Sequence, residues 1–124
     1  MDGVYDWYRR GLSLLDSGRP HAAAAVLERA VSLEPGKGSI REGLGRAYYA
    51  IGRFSAALEQ FVSALDLDPV NDYAHFGAGL ALGRLGRLVE AIGHLKMAAA
   101  MRPGLRDYLE ALAAHEGRLK LRFS

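Results

Sequence analysis

Residues 45–69 read G-R-A-Y-Y-A-I-G-R-F-S-A-A-L-E-Q-F-V-S-A-L-D-L-D-P: half a helix, a Gly-Arg break, a second helix and a stop at proline. The same punctuation recurs 34 residues earlier and 34 later. Eight positions keep the register: Gly11/Gly45/Gly79, Gly18/Gly52/Gly86, Arg19/Arg53/Arg87, Ala23/Ala57/Ala91, Leu27/Phe61/Leu95, Ala30/Ala64/Ala98, Leu33/Leu67/Met101 and Pro35/Pro69/Pro103. Eight registered triplets at one spacing identify an array of 34-residue units, each burying its apolar face on its neighbours.

Outward from that stretch, the apolar spacing predicts helices over 3–16, 20–33, 38–50, 54–67, 72–84, 88–101 and 105–118. No stretch within these bounds reads as a strand. Gly18 suits a left-handed position just past a helix end, and Gly52 and Gly86 read as turn glycines. Pro20 suits a first helical turn, where its missing N–H costs nothing. Asp2, Ser55 and Asp72 are candidate N-caps for the first, fourth and fifth helices. Glycines at 77, 79, 83 and 86 weaken the fifth helix by about 1 kcal/mol per interior glycine against alanine. The recurrence of Gly11, Gly45 and Gly79 points to close backbone approach between paired helices as the compensation.

The seventh helix has no partner after it and is expected to cover the apolar face of the last unit. Residues 1–118 then form one domain, with repeats 4–37, 38–71 and 72–105, a cap over 105–118, and a short basic and apolar tail, 119–124. The tail, R-L-K-L-R-F-S from Arg118, alternates at period two, which is strand-like. It reads either as a frayed end or as a segment whose Leu119, Leu121 and Phe123 insert into a neighbouring molecule's groove.

Net charge is +2 over 124 residues, and Arg118, Lys120 and Arg122 account for the excess. That is too little to indicate a nucleic-acid binder. Without cysteine, disulfides, thiolate chemistry and cysteine-ligated zinc are excluded. The N-terminus lacks the apolar run of a signal peptide, and no run is long enough to span a membrane, so the expected compartment is the cytoplasm. His21, His75, His94 and His115 form no ligand pair at helical spacing, and surface or half-buried histidines are expected. No serine sits in a strand-to-helix elbow, and no acid pair falls on a single inner face. The expectation is a protein that is not an enzyme, with no cofactor and no metal.

The registered residues resemble the tetratricopeptide repeat family. Repeat one matches at Trp7, Gly11, Ala23, Leu27, Ala30 and Pro35, departing at Arg10 and Leu14. Repeat two matches at Leu44, Gly45, Tyr48, Ala57, Phe61, Ala64 and Pro69, departing at Arg41. Repeat three matches at Gly79, Ala91, Leu95, Ala98 and Pro103, departing at His75, Ala78 and Leu82. The resemblance implies an all-α solenoid, a right-handed superhelix of antiparallel helix pairs.

It also implies that the first helix of each pair lines a concave groove. The family's groove positions fall on Tyr5, Tyr8, Leu12, Leu15 and Asp16, then on Ser39, Glu42, Arg46, Tyr49 and Ala50, then on Tyr73, Phe76, Leu80, Gly83 and Arg84. Asp107 and Glu110 of the cap are candidates for the far wall. The contact surface expected for a peptide is Tyr5, Tyr8, Leu12, Glu42, Arg46, Tyr49, Tyr73, Phe76, Leu80 and Arg84. Tyrosine and aliphatics rimmed by charge are a binding composition. The implied function is a protein-interaction scaffold that docks an apolar segment or helix. The plainer reading is that the aromatics pack on one another across a narrow groove. A second alternative is a self-assembling array, a homo-oligomer joined through the groove or residues 118–124. The family's grip on chaperone C-terminal carboxylates is disfavoured, because its clamp positions hold Tyr8, Leu12, Gly43, Tyr73 and Gly77.

Overall fold

The computed structural model describes residues 3–123. Seven helices follow one another: α1 (Val4–Asp16), α2 (Pro20–Leu33), α3 (Gly38–Ala50), α4 (Phe54–Leu67), α5 (Asp72–Arg84), α6 (Leu88–Met101) and α7 (Arg106–Arg122). Each packs antiparallel on the next, giving an α-solenoid of helix pairs. The odd helices also touch one another, α1 on α3, α3 on α5 and α5 on α7, whereas α2, α4 and α6 do not meet. The stack therefore curves with the odd helices on its inner side.

Each pair turns through the same device. Gly18, Gly52 and Gly86 have φ of 76°, 81° and 80°, in the left-handed region where a side chain is disfavoured. The next N–H reaches back to close the helix: Arg19 to the Leu14 carbonyl at 2.8 Å, Arg53 to Tyr48 at 2.9 Å and Arg87 to Leu82 at 3.0 Å. With the glycine N–H bonded to Leu15, Tyr49 and Gly83, the pattern satisfies the last carbonyls of α1, α3 and α5. The turn arginines find separate partners: Arg53 lies over the Tyr48 ring at 4.6 Å, and Arg87 makes a two-pronged bond to Glu90.

The periodic apolar residues form the core. Ala23, Ala57 and Ala91, Ala30, Ala64 and Ala98, and Leu27, Phe61 and Leu95 are all buried. A Cβ on Gly45 would stand 2.9 Å from Phe61 Cζ, one on Gly79 would stand 2.7 Å from Leu95 Cγ, and one on Gly11 would overlap Leu27. The inner-helix glycine is thus the seat of the large residue 16 positions on.

The caps differ from the sequence expectation. α5 is capped by Asn71, whose side chain accepts from the Ala74 N–H at 3.0 Å; Asp72 is its first helical residue. α4 begins at Phe54 without a side-chain cap, so Ser55 lies inside its first turn. Asp2 lies outside the described residues. The strand-like reading of the tail is overturned, because α7 continues to Arg122; Ser124 lies outside the described residues. Lys120 stands 34 residues after Gly86, so the glycine that ends α1, α3 and α5 is missing and nothing local stops the helix. His75 and His115 are buried, where surface or half-buried positions were expected.

Candidate functional site

The inner face holds three hollows that share walls. The first, of about 160 Å³, is lined by Tyr8 and Leu12 of α1, Ser39, Glu42, Gly43 and Arg46 of α3, and Tyr73 of α5. The second, of about 270 Å³, has Arg46 and Tyr73 in common with it and adds Leu15, Tyr49, Ala50, Phe61, Phe76, Gly77 and Leu80. The third, of about 480 Å³, shares Tyr49 and Leu80 and adds Gly83, Arg84, Ala114, His115 and Arg118. Because each hollow shares two residues with the next, they form one groove from α1 to α7.

Glycines set the depth of the middle hollow. Phe61 belongs to outer helix α4, yet it reaches the inner face because Gly77 of α5 leaves room for its ring. The ring is held between the backbones of Gly45 and Gly77. From it the aromatics continue along the inner face: Phe61 to Tyr73 at 6.4 Å, Tyr73 to Phe76 at 6.1 Å, and Phe76 to Tyr108 at 4.7 Å between ring centroids. These separations are those of favourable tilted ring pairs. The rings therefore pack on one another and still leave apolar surface facing the hollows.

The polar groups are held in place. Glu42 Oε2 accepts from Asn71 Nδ2 at 2.7 Å, so the residue that caps α5 also fixes the carboxylate of α3. Burial raises the Glu42 pKa, and the Asn71 bond only partly offsets this. Arg84 Nε donates to Tyr49 Oη at 3.2 Å, and its guanidinium lies 5.8 Å from the Tyr49 ring and 5.5 Å from that of Phe54. Arg118 donates to the Gly83 carbonyl at 3.2 Å and Arg122 to the Gly86 carbonyl at 3.3 Å, placing two cations at the carbonyl-rich end of α5. Arg46 lies 3.9 Å from Asp16, in a pair exposed enough to contribute little.

Nine of the ten expected contact residues line the three hollows: Tyr8, Leu12, Glu42, Arg46, Tyr49, Tyr73, Phe76, Leu80 and Arg84. Tyr5 does not. It is exposed near the start of α1, with Arg9 at 5.7 Å from its ring. Nor do Asp107 and Glu110 form the far wall. Glu110 is an exposed partner of Arg106, and α7 contributes Ala114, His115 and Arg118 instead. The sequence reading missed Phe61, Gly43, Gly77, Ala114, His115 and Arg118. Gly43 and Gly77 are 34 residues apart, so the register contained that signal; His115 and Arg118 lie beyond the repeats.

The chemistry available is recognition. Glu42 is the one carboxylate lining the hollows, and no acid pair faces across them. Among the described residues no three of His, Cys, Asp and Glu converge on a point where a metal ion would sit. His75 and His94 do meet, at 3.0 Å between their Nδ1 atoms. His75 Nε2–H donates to the Pro69 carbonyl at 2.9 Å, so its Nδ1 accepts from His94. None of the three hollows is lined by either ring.

Comparison with known proteins agrees with this architecture. The family model described as tetratricopeptide repeat matches residues 8–61 and again 43–106. Superkiller complex protein 3 of Mus musculus is 35% identical over 106 residues, 86% of this chain and 7% of its own length. The Homo sapiens protein of that name is 33% identical over the same extent. The chain thus spans about 7% of the length of the curated relatives it matches. Among solved structures, YrrB, described as a TPR protein with an unusual peptide-binding site, superposes with a TM-score of 0.83 at 26% identity. The match covers 90% of this chain and 57% of that one. The first TPR of Spaghetti (RPAP3), bound to an HSP90 peptide, gives 0.90 at 17% identity over 94% and 93% of the two chains. The Yersinia enterocolitica chaperone SycD, in complex with a peptide of the translocator YopD, gives 0.83 at 20% over 97% and 94%. With matched segments that together run from residue 8 to residue 106, this chain belongs to the tetratricopeptide repeat family.

Proposed function

We propose that this chain is a protein-interaction module that holds an apolar peptide segment or helix in the groove on its inner face. One observation carries the reading: three adjoining hollows form a continuous groove with an aromatic and aliphatic floor and charge at its rim. Tyrosine, phenylalanine and leucine in an open hollow are the residues from which binding hot spots are built. The solved peptide complexes of similarly folded proteins support the same use of this scaffold.

The alternative, a second copy docking its C-terminal residues in the groove, is less well supported. Residues 118–122 are helical and rest on the chain's own α5 through Arg118 and on the turn after it through Arg122. They are also basic, and the groove is lined by Arg46, Arg84 and Arg118.

Adjacent tyrosines test the assignment. Tyr49 lies between the second and third hollows, while Tyr48 is buried in the core with Arg53 over its ring. For a peptide enriched from a random display library, Tyr49→Ala is expected to weaken binding by at least about 2 kcal/mol. It should cost much less in folding. Tyr48→Ala is expected to cost about 3–5 kcal/mol of stability. Wild-type peptide affinity in Y49A, measured by titration calorimetry, would remove the groove from the account.

A further inference from the structure

The groove differs in charge from one end to the other. Among the described residues its only lining carboxylate is Glu42, which lies in the first hollow and is already bonded to Asn71. The middle hollow is aromatic and aliphatic, with Arg46 its one charged lining residue. The third is walled by Arg84 of α5 and Arg118 of α7. Among the described residues, no carboxylate comes within ion-pair distance of Arg84 or Arg118. Three arginines and one glutamate thus line a groove in a chain whose overall charge is only +2.

The two arginines are oriented by neutral partners. Arg84 is fixed by Tyr49 Oη and the Tyr49 and Phe54 rings, and Arg118 by the Gly83 carbonyl. Each hydrogen bond uses one of the five N–H donors of a guanidinium, leaving a fork free to take a carboxylate. A cation held in place beforehand loses less freedom on pairing than a mobile one.

We propose that the occupant of this groove is an acidic amphipathic peptide segment, its apolar side chains seated in the middle hollow and a side-chain carboxylate paired with Arg84 and Arg118. The inference rests on the groove reading above. A side-chain carboxylate is specified, not a chain terminus, because the lining residues lie within helices, whose backbone N–H groups are already bonded. Capture of a terminus in a backbone nest uses free N–H groups, whereas arginine clusters read acidic side chains. The family's carboxylate clamp is not the device, since its positions carry Tyr8, Leu12, Gly43, Tyr73 and Gly77. The pair here stands elsewhere, between α5 and the capping helix.

The test is a random-peptide display selection against the full chain, run in parallel on wild type, R84E, R84E/R118E and Y49A. Arg84 is exposed, so R84E should keep the fold, which its melting curve checks. Wild type is expected to enrich Asp and Glu beside an apolar core, with R84E losing that bias and the double variant favouring Lys and Arg. Replacing the enriched acid by its amide should weaken binding about fivefold at low salt, and less at high salt. Groove-dependent peptides with no acidic bias would overturn this proposal and leave the binding module standing. No enrichment lost in Y49A would overturn both. A dimer in solution that R84E dissociates would give the groove to a second copy and overturn the proposal as well.

Discussion

At the scale of the residue, the glycines carry much of the design. Gly43 and Gly77 hold equivalent places in successive units, but face different partners. A Cβ on Gly43 would stand 3.5 Å from Leu27 and 3.6 Å from Tyr8, ordinary contacts, while one on Gly77 would overlap the Phe61 ring. Phe61 cannot retreat, because the Gly45 backbone lies on its other side, so near that a Cβ there would stand 2.9 Å from Cζ of the ring. Gly43→Ala should therefore gain about 0.5–1 kcal/mol from helix propensity. Gly77→Ala should lose stability, its overpacking cost of about 1–3 kcal/mol outweighing that gain. Urea melts of the two variants check the opposite signs; equal shifts would mean that Phe61 is not held as described. Much of this was legible, since Gly11, Gly45 and Gly79 recur in register and predict close approach. The second seat was missed because repeat matching asks what a unit shares, and Phe61 is packed between two units.

At the scale of the element, α7 is fastened by a polar contact that no repeat pattern foretells. Tyr108 is buried, and its hydroxyl donates to Asp72 Oδ2 at 2.7 Å, with Arg102 at 3.6 Å from the same oxygen. Burial first, then the adjacent carboxylate, pushes the phenol pKa up, so it remains a donor at any ordinary pH. Tyr108→Phe leaves the ring stacked on Phe76 but Asp72 short of a donor. It should cost about 1.5–3 kcal/mol, the range for hydrogen bonds to charged groups, seen as a lower denaturation midpoint and faster amide exchange in α7. An unchanged midpoint would mean that the ring alone holds the cap. The α7 end was misread because R-L-K-L-R alternates like a strand. Its residues 118 and 122 instead share one helical face, where Arg118 meets a carbonyl of the last turn of α5 and Arg122 one in the turn that follows.

The α5–α6 pair carries a pH dependence of definite sign. His94 is held below the ordinary imidazole range, first by burial and next by His75, with Glu90 opposing. The folded state then binds fewer protons than the unfolded chain between the depressed value and 6.5. His94 thus contributes stability that is present above 6.5 and lost as pH falls through its folded value. Glu42 acts oppositely: its raised pKa gives stability present below 4.5 and lost as pH rises through the folded value. Subtracting the melting curves of His94→Gln from those of wild type across this range isolates the first effect. The variant should lose less stability on acidification. A parallel decline in both proteins would place the sensitivity elsewhere.

At the scale of the whole molecule, curvature makes the groove. The odd helices touch and the even helices do not, so apolar residues on α1, α3, α5 and α7 converge on one surface. That surface was legible where the units repeat, from Tyr8 to Arg84, because family register fixes which residues of an inner helix point inward. It was not legible at its far wall, where Ala114, His115 and Arg118 lie past the last repeat, nor at Tyr5, which stands exposed in the first turn of α1. The central claim is that the inner face is the binding face. It is tested most directly by mapping backbone amide shifts while titrating the labelled protein with a display-enriched peptide. The account predicts that the largest changes fall on Leu12, Arg46, Tyr49, Tyr73, Leu80 and Arg84. Changes centred instead on the outer exposed residues Val62, Val89 and Met97, with the inner face unmoved, would contradict it.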